Sequence, residues 1–342
     1  MTVSQSNKIL STDVAIIGAG PVGLFAVFEL GMLKMRTVVI DALPALGGQC
    51  SALYPEKPIY DIPGFPSVAA ADLIANLEAQ AAPFAPHYVL GEQVVQCSKV
   101  ASGDWQLVTS KGQVIQAKAV IIAAGCGAFG PNRPPLPGIE KYEGTSVHYL
   151  VTRREDYRDR TVVIAGGGDS AVDWAVSLAE VARKIYVVHR RDKFRAMPET
   201  VDKMHALAAS GTIEMVIPYQ LEALEGDGRD LRAVMVKQMD GSVRRLEADR
   251  LLPFFGLSME LGPLADWGLG LDTNHIAVTV GTGATNQPGI YAIGDIATYP
   301  HKLKLILCGF SEAAQTAHAI YKQLYPDVAL HFEYSTSKGV PA

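Results

Sequence analysis

Short apolar runs of strand length alternate with stretches whose apolar residues recur at helical spacing along most of this 342-residue chain. Residues 14–17 form one such run, 24–33 carry apolar side chains at helical spacing, and 37–40 form a second, β-branched run. The helical period returns over 70–81, and 88–95 is read as a strand. Residues 105–108 and 114–116 flank Ser110-Lys111-Gly112 as a hairpin, and 119–124 has the pattern of a buried strand. A second series begins with a strand at 161–165, then a helix and a strand at 184–188. Residues 231–236 and 242–246 predict another hairpin, and 250–255 a returning strand. An apolar strand ends at Gly294-Asp295, and 309–324 is a helix whose first turn is placed to face a cofactor carbonyl. Strand and helix in alternation predict an α/β protein with parallel sheets.

The first strand runs directly into Gly18-Ala19-Gly20-Pro21-Val22-Gly23. In such a turn the first glycine permits the tight bend, the second lets the backbone approach a pyrophosphate, and the third lets helix and strand pack closely. The helix N-terminus offers its free N–H groups to phosphate. Asp41 ends the next strand, where an acceptor for adenosine ribose hydroxyls belongs. Gly18, Gly20, Gly23 and Asp41 are therefore candidate dinucleotide ligands. The stretch TVVIAGGGDSAVDWAVSLAEVARKIYVVHRRDKFRA repeats this logic, with Gly166, Gly168 and Ala171 in the three glycine positions and Asp169 and Ser170 opening the helix. Its second strand ends in His189-Arg190-Arg191, with Arg195 further on, where the first copy has an acid. An acid there bonds the ribose of NAD and repels the 2'-phosphate of NADP, whereas guanidiniums bind phosphate oxygens. NADP(H) is the expected ligand of this second copy.

The stretch 42–66, ALPALGGQCSALYPEKPIYDIPGFP, is rich in Gly and Pro and without period, and loops of this length tend to carry function. Gln49 supplies an amide that both donates and accepts, and Tyr54 and Tyr60 are candidates to stack on a ring system. Asp295, at a strand end, is placed to accept hydrogen bonds from a polyol. Four glycines and four prolines over residues 125–138 mark a crossing between domains.

A length of 342 residues favours two domains. A net charge of -5 with 19% charged residues excludes a global basic field for nucleic acid or anionic lipid. The first residues lack the apolar core of a signal peptide, and no stretch approaches the roughly 20 apolar residues that span a bilayer, so the cytoplasm is the expected location. Cys50, Cys97, Cys126 and Cys308 are too few and scattered for a disulfide framework or a zinc site, no metal is expected, and no CxxC occurs.

Two glycine turns, Asp41 on one and arginines on the other, with a late strand ending in Gly294-Asp295, resemble the thioredoxin-reductase-like flavoproteins; GGGDSA and HRRDKFRA carry the resemblance. It implies two Rossmann-like, three-layer dinucleotide-binding domains. A discontinuous FAD domain would span 1–129 and 254–342, and an NADP(H) domain 130–253. Thioredoxin reductases of this size carry a CxxC shortly before the second glycine turn. Here that stretch is HYLVTRREDYRDR, so thiol exchange has no carrier. The loop GGQCSALYPEKPIYDIPGFP and the tail Tyr334-Ser335-Thr336-Ser337 are instead similar to the type 2 ferredoxin:NADP reductases built on this fold.

That resemblance implies an FAD enzyme in which hydride exchange between NADPH and flavin is followed by one-electron exchange with ferredoxin through the semiquinone. It implies Tyr54 against one face of the flavin and Tyr334, from the partner subunit of a homodimer, against the other. It places Gln49, Val94, Phe129 and Thr336 beside FAD, assigns no acid or base, and puts a hinge in the crossings near 125–138 and 253–262. Lys302 and Lys304 are candidates for docking an acidic ferredoxin. Two alternatives stay open: an NADPH dehydrogenase serving flavodoxin, quinone or another small acceptor, and an FAD/NADPH-binding redox sensor.

Overall fold

A strand made from a continuous apolar run sends alternate side chains to opposite faces, so both faces must be covered. The computed structural model describes residues 9–328 and 339, and of residues 128, 129, 131 and 257–259 the backbone alone. Its chain separates into two compact units, one formed by residues 1–128 with 259–342, the other by 129–258.

The first unit opens with β1 (Leu10–Ile17), α1 (Pro21–Met32), β2 (Thr37–Asp41), α2 (Ala70–Ala81), β3 (His87–Leu90), β4 (Val94–Lys99), β5 (Trp105–Thr109) and β6 (Val114–Ile122). β2 and β6 flank β1 in parallel, with Val14 opposite Thr37 on one side and Ala119 on the other. β3 lies parallel outside β2, while β5 and then β4 continue antiparallel from the early half of β6. Val14, Ile16, Val39 and Ile121 pack on one face with Ala26, Val27 and Leu30 of α1. Their neighbours Ala15, Val38, Ile40, Val120 and Ile122 fill the other face with Leu264, Leu269 and Ile276. This alternation produces three layers from runs that show no polar position.

The second unit holds β7 (Thr161–Ala165), α3 (Asp169–Leu178), β8 (Lys184–Val188), α4 (Pro198–Ala209), β9 (Ile213–Val216), β10 (Gln220–Gly226), β11 (Leu231–Lys237), β12 (Val243–Glu247) and β13 (Arg250–Pro253). β9, β8, β7 and β13 form an all-parallel sheet in that order. The antiparallel sheet β10–β11–β12 packs against it through Val163, Val188, Val234, Val236 and Leu251. The chain then returns to the first unit with β14 (Ile290–Ala292), parallel to β6, and α5 (Ile306–Leu324). Both units order their parallel strands third, second, first and then a later strand, which is β6 in the first unit, with β14 beyond it, and β13 in the second, the Rossmann arrangement.

Three expectations change. Residues 114–116 and 119–124, read as separate strands, form the single strand β6, because Lys118 between them stays in register with β1 and bonds Asp13 at 2.8 Å. The strand expected at 88–95 breaks into β3 and β4 where Gly91 turns at φ 69°. The helix α4 and the strands β9 and β10 lacked a sequence signal: α4 buries only Met204, and β9 is four residues long.

Asp13 ties this sheet together. It is 6% exposed and accepts hydrogen bonds from the Lys118 ammonium at 2.8 Å and the Arg36 backbone N–H at 2.9 Å. Burial alone would push its carboxyl up, but those bonds and the two positive charges outweigh it and hold the carboxyl below the usual range. Asp13→Asn is expected to cost about 1–2 kcal/mol at neutral pH. A lowered pKa contributes stability that is complete above the unfolded value near ~4 and lost as pH falls through the folded value. Denaturant melts should therefore show the gap between wild type and Asp13→Asn closing below about pH 4.

Candidate functional site

The first glycine turn combines steric necessity with open space. Gly18 sits at φ 112°, and a Cβ on it would lie 2.3 Å from the carbonyl oxygen of Ala123; one on Gly23 would lie 2.0 Å from the carbonyl oxygen of Gly18. Gly20 is different: it is extended at φ -71°, it precedes α1 without a side-chain cap, and a Cβ there would meet nothing within 4 Å. This is room for a phosphate at a helix N-terminus. Asp41 is fixed onto the turn by the N–H of Ala19 at 2.6 Å on one carboxylate oxygen and that of Leu43 at 2.8 Å on the other. Each oxygen keeps a lone pair for a hydroxyl. Burial pushes this carboxyl up, and the two N–H groups oppose it.

Gln49 opens the single-turn helix Gln49–Ala52 beside this turn, and its side chain faces the Cys126 thiol after β6. Tyr54 is half-buried against the cluster of Leu24, Cys50 and Ile62. Its hydroxyl accepts the Cys50 thiol hydrogen at a sulfur–oxygen distance of 3.8 Å, the Lys57 ammonium lies 5.7 Å from its ring centroid, and burial pushes the phenol up. Tyr60, the other stacking candidate, is 70% exposed, so only Tyr54 is held in the core. Val94 begins β4 and is buried opposite Thr109. Phe129 lies on the strand Ala128–Pro131. Tyr334 and Thr336 lie outside the described residues.

Asp295 stands in the turn Gly294–Ile296 that follows β14. Among the described residues no hydrogen-bond donor reaches its half-buried carboxylate; burial pushes it up, while Lys302 and Lys304 draw it down. An orphaned acceptor of this kind fits a hydroxylated ligand. Lys302 is corrected as a docking residue. Its side chain is 5% exposed and ion-paired with Glu312 of α5, which also accepts from the Tyr299 hydroxyl and the Gly294 N–H, each at 2.7 Å. Lys304 is exposed and donates to Nε2 of His275 at 2.7 Å; burial and that ammonium keep His275 neutral. Glu312 and His275 escaped sequence reasoning. The available signal for Glu312 was an acid set among the buried helix positions Gly309, Ala313 and Thr316. The helix α5 itself starts at Ile306, earlier than the 309 expected.

In the second turn Gly166, at φ 155°, would place a Cβ 2.5 Å from the Phe254 carbonyl oxygen. Gly167, which sequence reasoning missed, leaves room for the His189 ring, which would lie 2.2 Å from a Cβ there and packs on Phe194 at 5.1 Å. Gly168 is the N-cap of α3, and Ser170 is exposed in its first turn. Asp169 accepts the Met197 N–H at 3.1 Å, and the Arg195 N–H donates to the Gly167 carbonyl at 2.7 Å, which ties the arginine segment to the turn. Gly166, Gly168, Arg190, Arg191 and Arg195 all line one cavity of about 790 Å³ within the second unit, joined by Lys193. Among the described residues none of the three arginines pairs with a carboxylate. Burial first, then Arg190 and Arg191, hold the His189 imidazole neutral.

Among the described residues there is no cluster suited to a metal ion, all four cysteines are free, and no helix is long and apolar enough to cross a membrane. The solved thioredoxin reductases of Lactococcus lactis and T. acidophilum share this fold, with TM-scores of 0.79 and 0.80 over 92% of this chain and 99% of theirs, at 24% and 23% identity. Fold and paired turns together define a protein of the thioredoxin reductase architecture. The chain is 62% identical to a protein of Paramagnetospirillum magneticum over 96% of its length and 98% of the relative's, and 60% identical to one of Granulibacter bethesdensis over 99% and 97%; both relatives are named ferredoxin–NADP reductase. It belongs to the pyridine nucleotide-disulphide oxidoreductase family, whose model matches residues 12–321.

The turn geometry separates structural from ligand-facing glycines. Gly18→Ala is expected to lower the melting temperature by about 5 °C or more, since the clash is with backbone. In protein stripped of bound nucleotide, Gly20→Ala should melt within about 1 °C of wild type. Equal melting temperatures for the two variants would contradict this division.

Proposed function

We propose that this chain is an FAD-dependent ferredoxin–NADP reductase. The observation that carries the reading is identity of 55–62% over nearly the whole chain to proteins of that name. The missing CxxC agrees with it, because the chain has no dithiol to pass electrons to a protein disulfide.

FAD supplies the passage between two-electron and one-electron chemistry when bound. The chain's own residues bind and orient. The N–H groups at the start of α1 and the open backbone of Gly20 take the pyrophosphate, Asp41 the ribose hydroxyls, and Asp295 the polyol. Gln49, Val94 and Phe129 line the same ligand, and Tyr54 lies along one face of its ring system. Tyr334 of the partner subunit covers the other face in a homodimer, with Thr336 of the partner subunit nearby. Gly166, Gly168 and the start of α3 with Asp169 and Ser170 receive the NADPH pyrophosphate, and Arg190, Arg191 and Arg195 its 2'-phosphate. No side chain acts as acid or base, so the protein's contribution is binding, orientation and exclusion of water. The crossings near 125–138 and 253–262 serve as the hinge between binding and electron transfer. The enzyme works in the cytoplasm.

Two measurements test this reading. In anaerobic stopped-flow, NADPH should bleach the flavin far faster than NADH, and oxidised ferredoxin should restore it; restoration by flavodoxin or quinone but not ferredoxin would reassign the acceptor. The double variant Arg190→Ala/Arg191→Ala removes two charge-assisted contacts of about 1.5–3 kcal/mol each, so the KM for NADPH should rise about 100-fold or more with NADH unaffected. An equal loss with both nucleotides would refute the 2'-phosphate assignment.

A further inference from the structure

The buried ion pair Lys302–Glu312 lies in the first unit beside the unpartnered carboxylate of Asp295. Glu312 and Lys302 have side chains only 11% and 5% exposed. A buried pair of charges is costly to desolvate, and an apolar pair of similar size would fill the same space at no such cost. Here the carboxylate does something an apolar group cannot: it accepts the N–H of Gly294, the residue immediately before Asp295, at 2.7 Å. Gly294 is in the left-handed region at φ 73°, and its N–H bonds this side chain of α5. The Tyr299 hydroxyl and the Lys302 ammonium complete the set of donors on Glu312. Lys302 also offsets the effect of Glu312 on Asp295: the acid raises the Asp295 carboxyl and the ammonium lowers it.

The same turn is closed from the other side. A Cβ on Gly294 would lie 3.5 Å from the side chain of Val22 in the first turn of α1, and one on Gly309 of α5 would lie 2.3 Å from it. The phosphate-facing turn, the Asp295 turn and the start of α5 therefore pack as one block, with Glu312 supplying its directional bond.

We propose that Glu312 is a positioning residue for the flavin: through the Gly294 N–H it fixes the Asp295 carboxylate at a set distance from the Gly20 turn, so that one rigid edge meets both the polyol and the pyrophosphate. This inference rests on the FAD reading above. It assigns the ion pair a specific duty, and makes the acceptor oxygen at Gly294, rather than the negative charge, the part that matters to the ligand.

The test compares FAD release from purified full-length holoprotein, followed by the rise in free-flavin fluorescence after dilution, for wild type, Glu312→Gln, Glu312→Asp and Glu312→Ala. Glu312→Gln is read in the Lys302→Met background, where its amide NH2 no longer meets an ammonium and has the Tyr299 hydroxyl as acceptor, so the amide oxygen is kept for Gly294 without the charge; Glu312→Asp keeps the charge but is one methylene too short to reach the N–H. Wild type and Glu312→Gln in the Lys302→Met background, which leaves no buried charge unpaired, should release FAD at rates within about threefold of each other. Glu312→Asp and Glu312→Ala should release FAD about tenfold faster or more. The ranking of Gln against Asp decides the matter even if Glu312→Ala fails to fold. Retention by Glu312→Asp with fast release from Glu312→Gln, or equal release from all four, overturns the proposal. A wild type that binds no FAD overturns instead the reading on which it rests.

Discussion

Everything in this molecule depends on how closely a backbone turn can be pressed against the end of a parallel strand. At Gly18 the N–H donates to Ile40 of one neighbouring strand, and the Ala123 carbonyl of the other lies where a side chain would begin. No other residue fits, and the turn leads into a helix that has no side-chain cap and that begins after Gly20, where a side chain would meet nothing within 4 Å. The strands tolerate this because they are buried on both faces and fixed in register over their length.

The two units solve the same packing problem and differ in what they present beyond it. Where β2 ends in Asp41, a carboxylate is held by two N–H groups, with a lone pair left on each oxygen. Where β8 ends, the imidazole of His189 occupies the space left by Gly167, and the guanidiniums that follow open into the cavity without a carboxylate partner among the described residues. The two units thus differ in the charge they carry at one strand end, set on a common frame.

The frame was largely legible in the chain. The helix at Ala70–Ala81 and the strands at Thr161–Ala165 and Lys184–Val188 follow their apolar periods closely, since packing and propensity agree there. What escaped were elements whose burial is slight, such as α4, and features made by residues distant in sequence. Lys302 looked like a solvated loop lysine because nothing near it in sequence announces Glu312, ten positions later on a helix. Tyr54 and Tyr60 are alike in local sequence, where the resemblance alone distinguishes Tyr54; the fold buries Tyr54 against Leu24 and Cys50 and leaves Tyr60 in water. The need for Gly167 comes from the ring of His189, twenty-two positions later, which fills the space its missing side chain leaves.

The split of the first unit also bears on how the chain is made. β14, which completes the parallel order beside β6, and α5, which covers the face shared with α1, follow the whole of the second unit in sequence. During synthesis the later half of β6 must therefore wait with an unpaired edge and a bare apolar face while more than a hundred residues are added and fold as their own unit. Closure of the first unit is a long-range event with a correspondingly high entropic barrier, and the ribosome delivers the piece that accomplishes it last. The interval between emergence of β6 and arrival of α5 is when this protein is most exposed to aggregation and most in need of a chaperone.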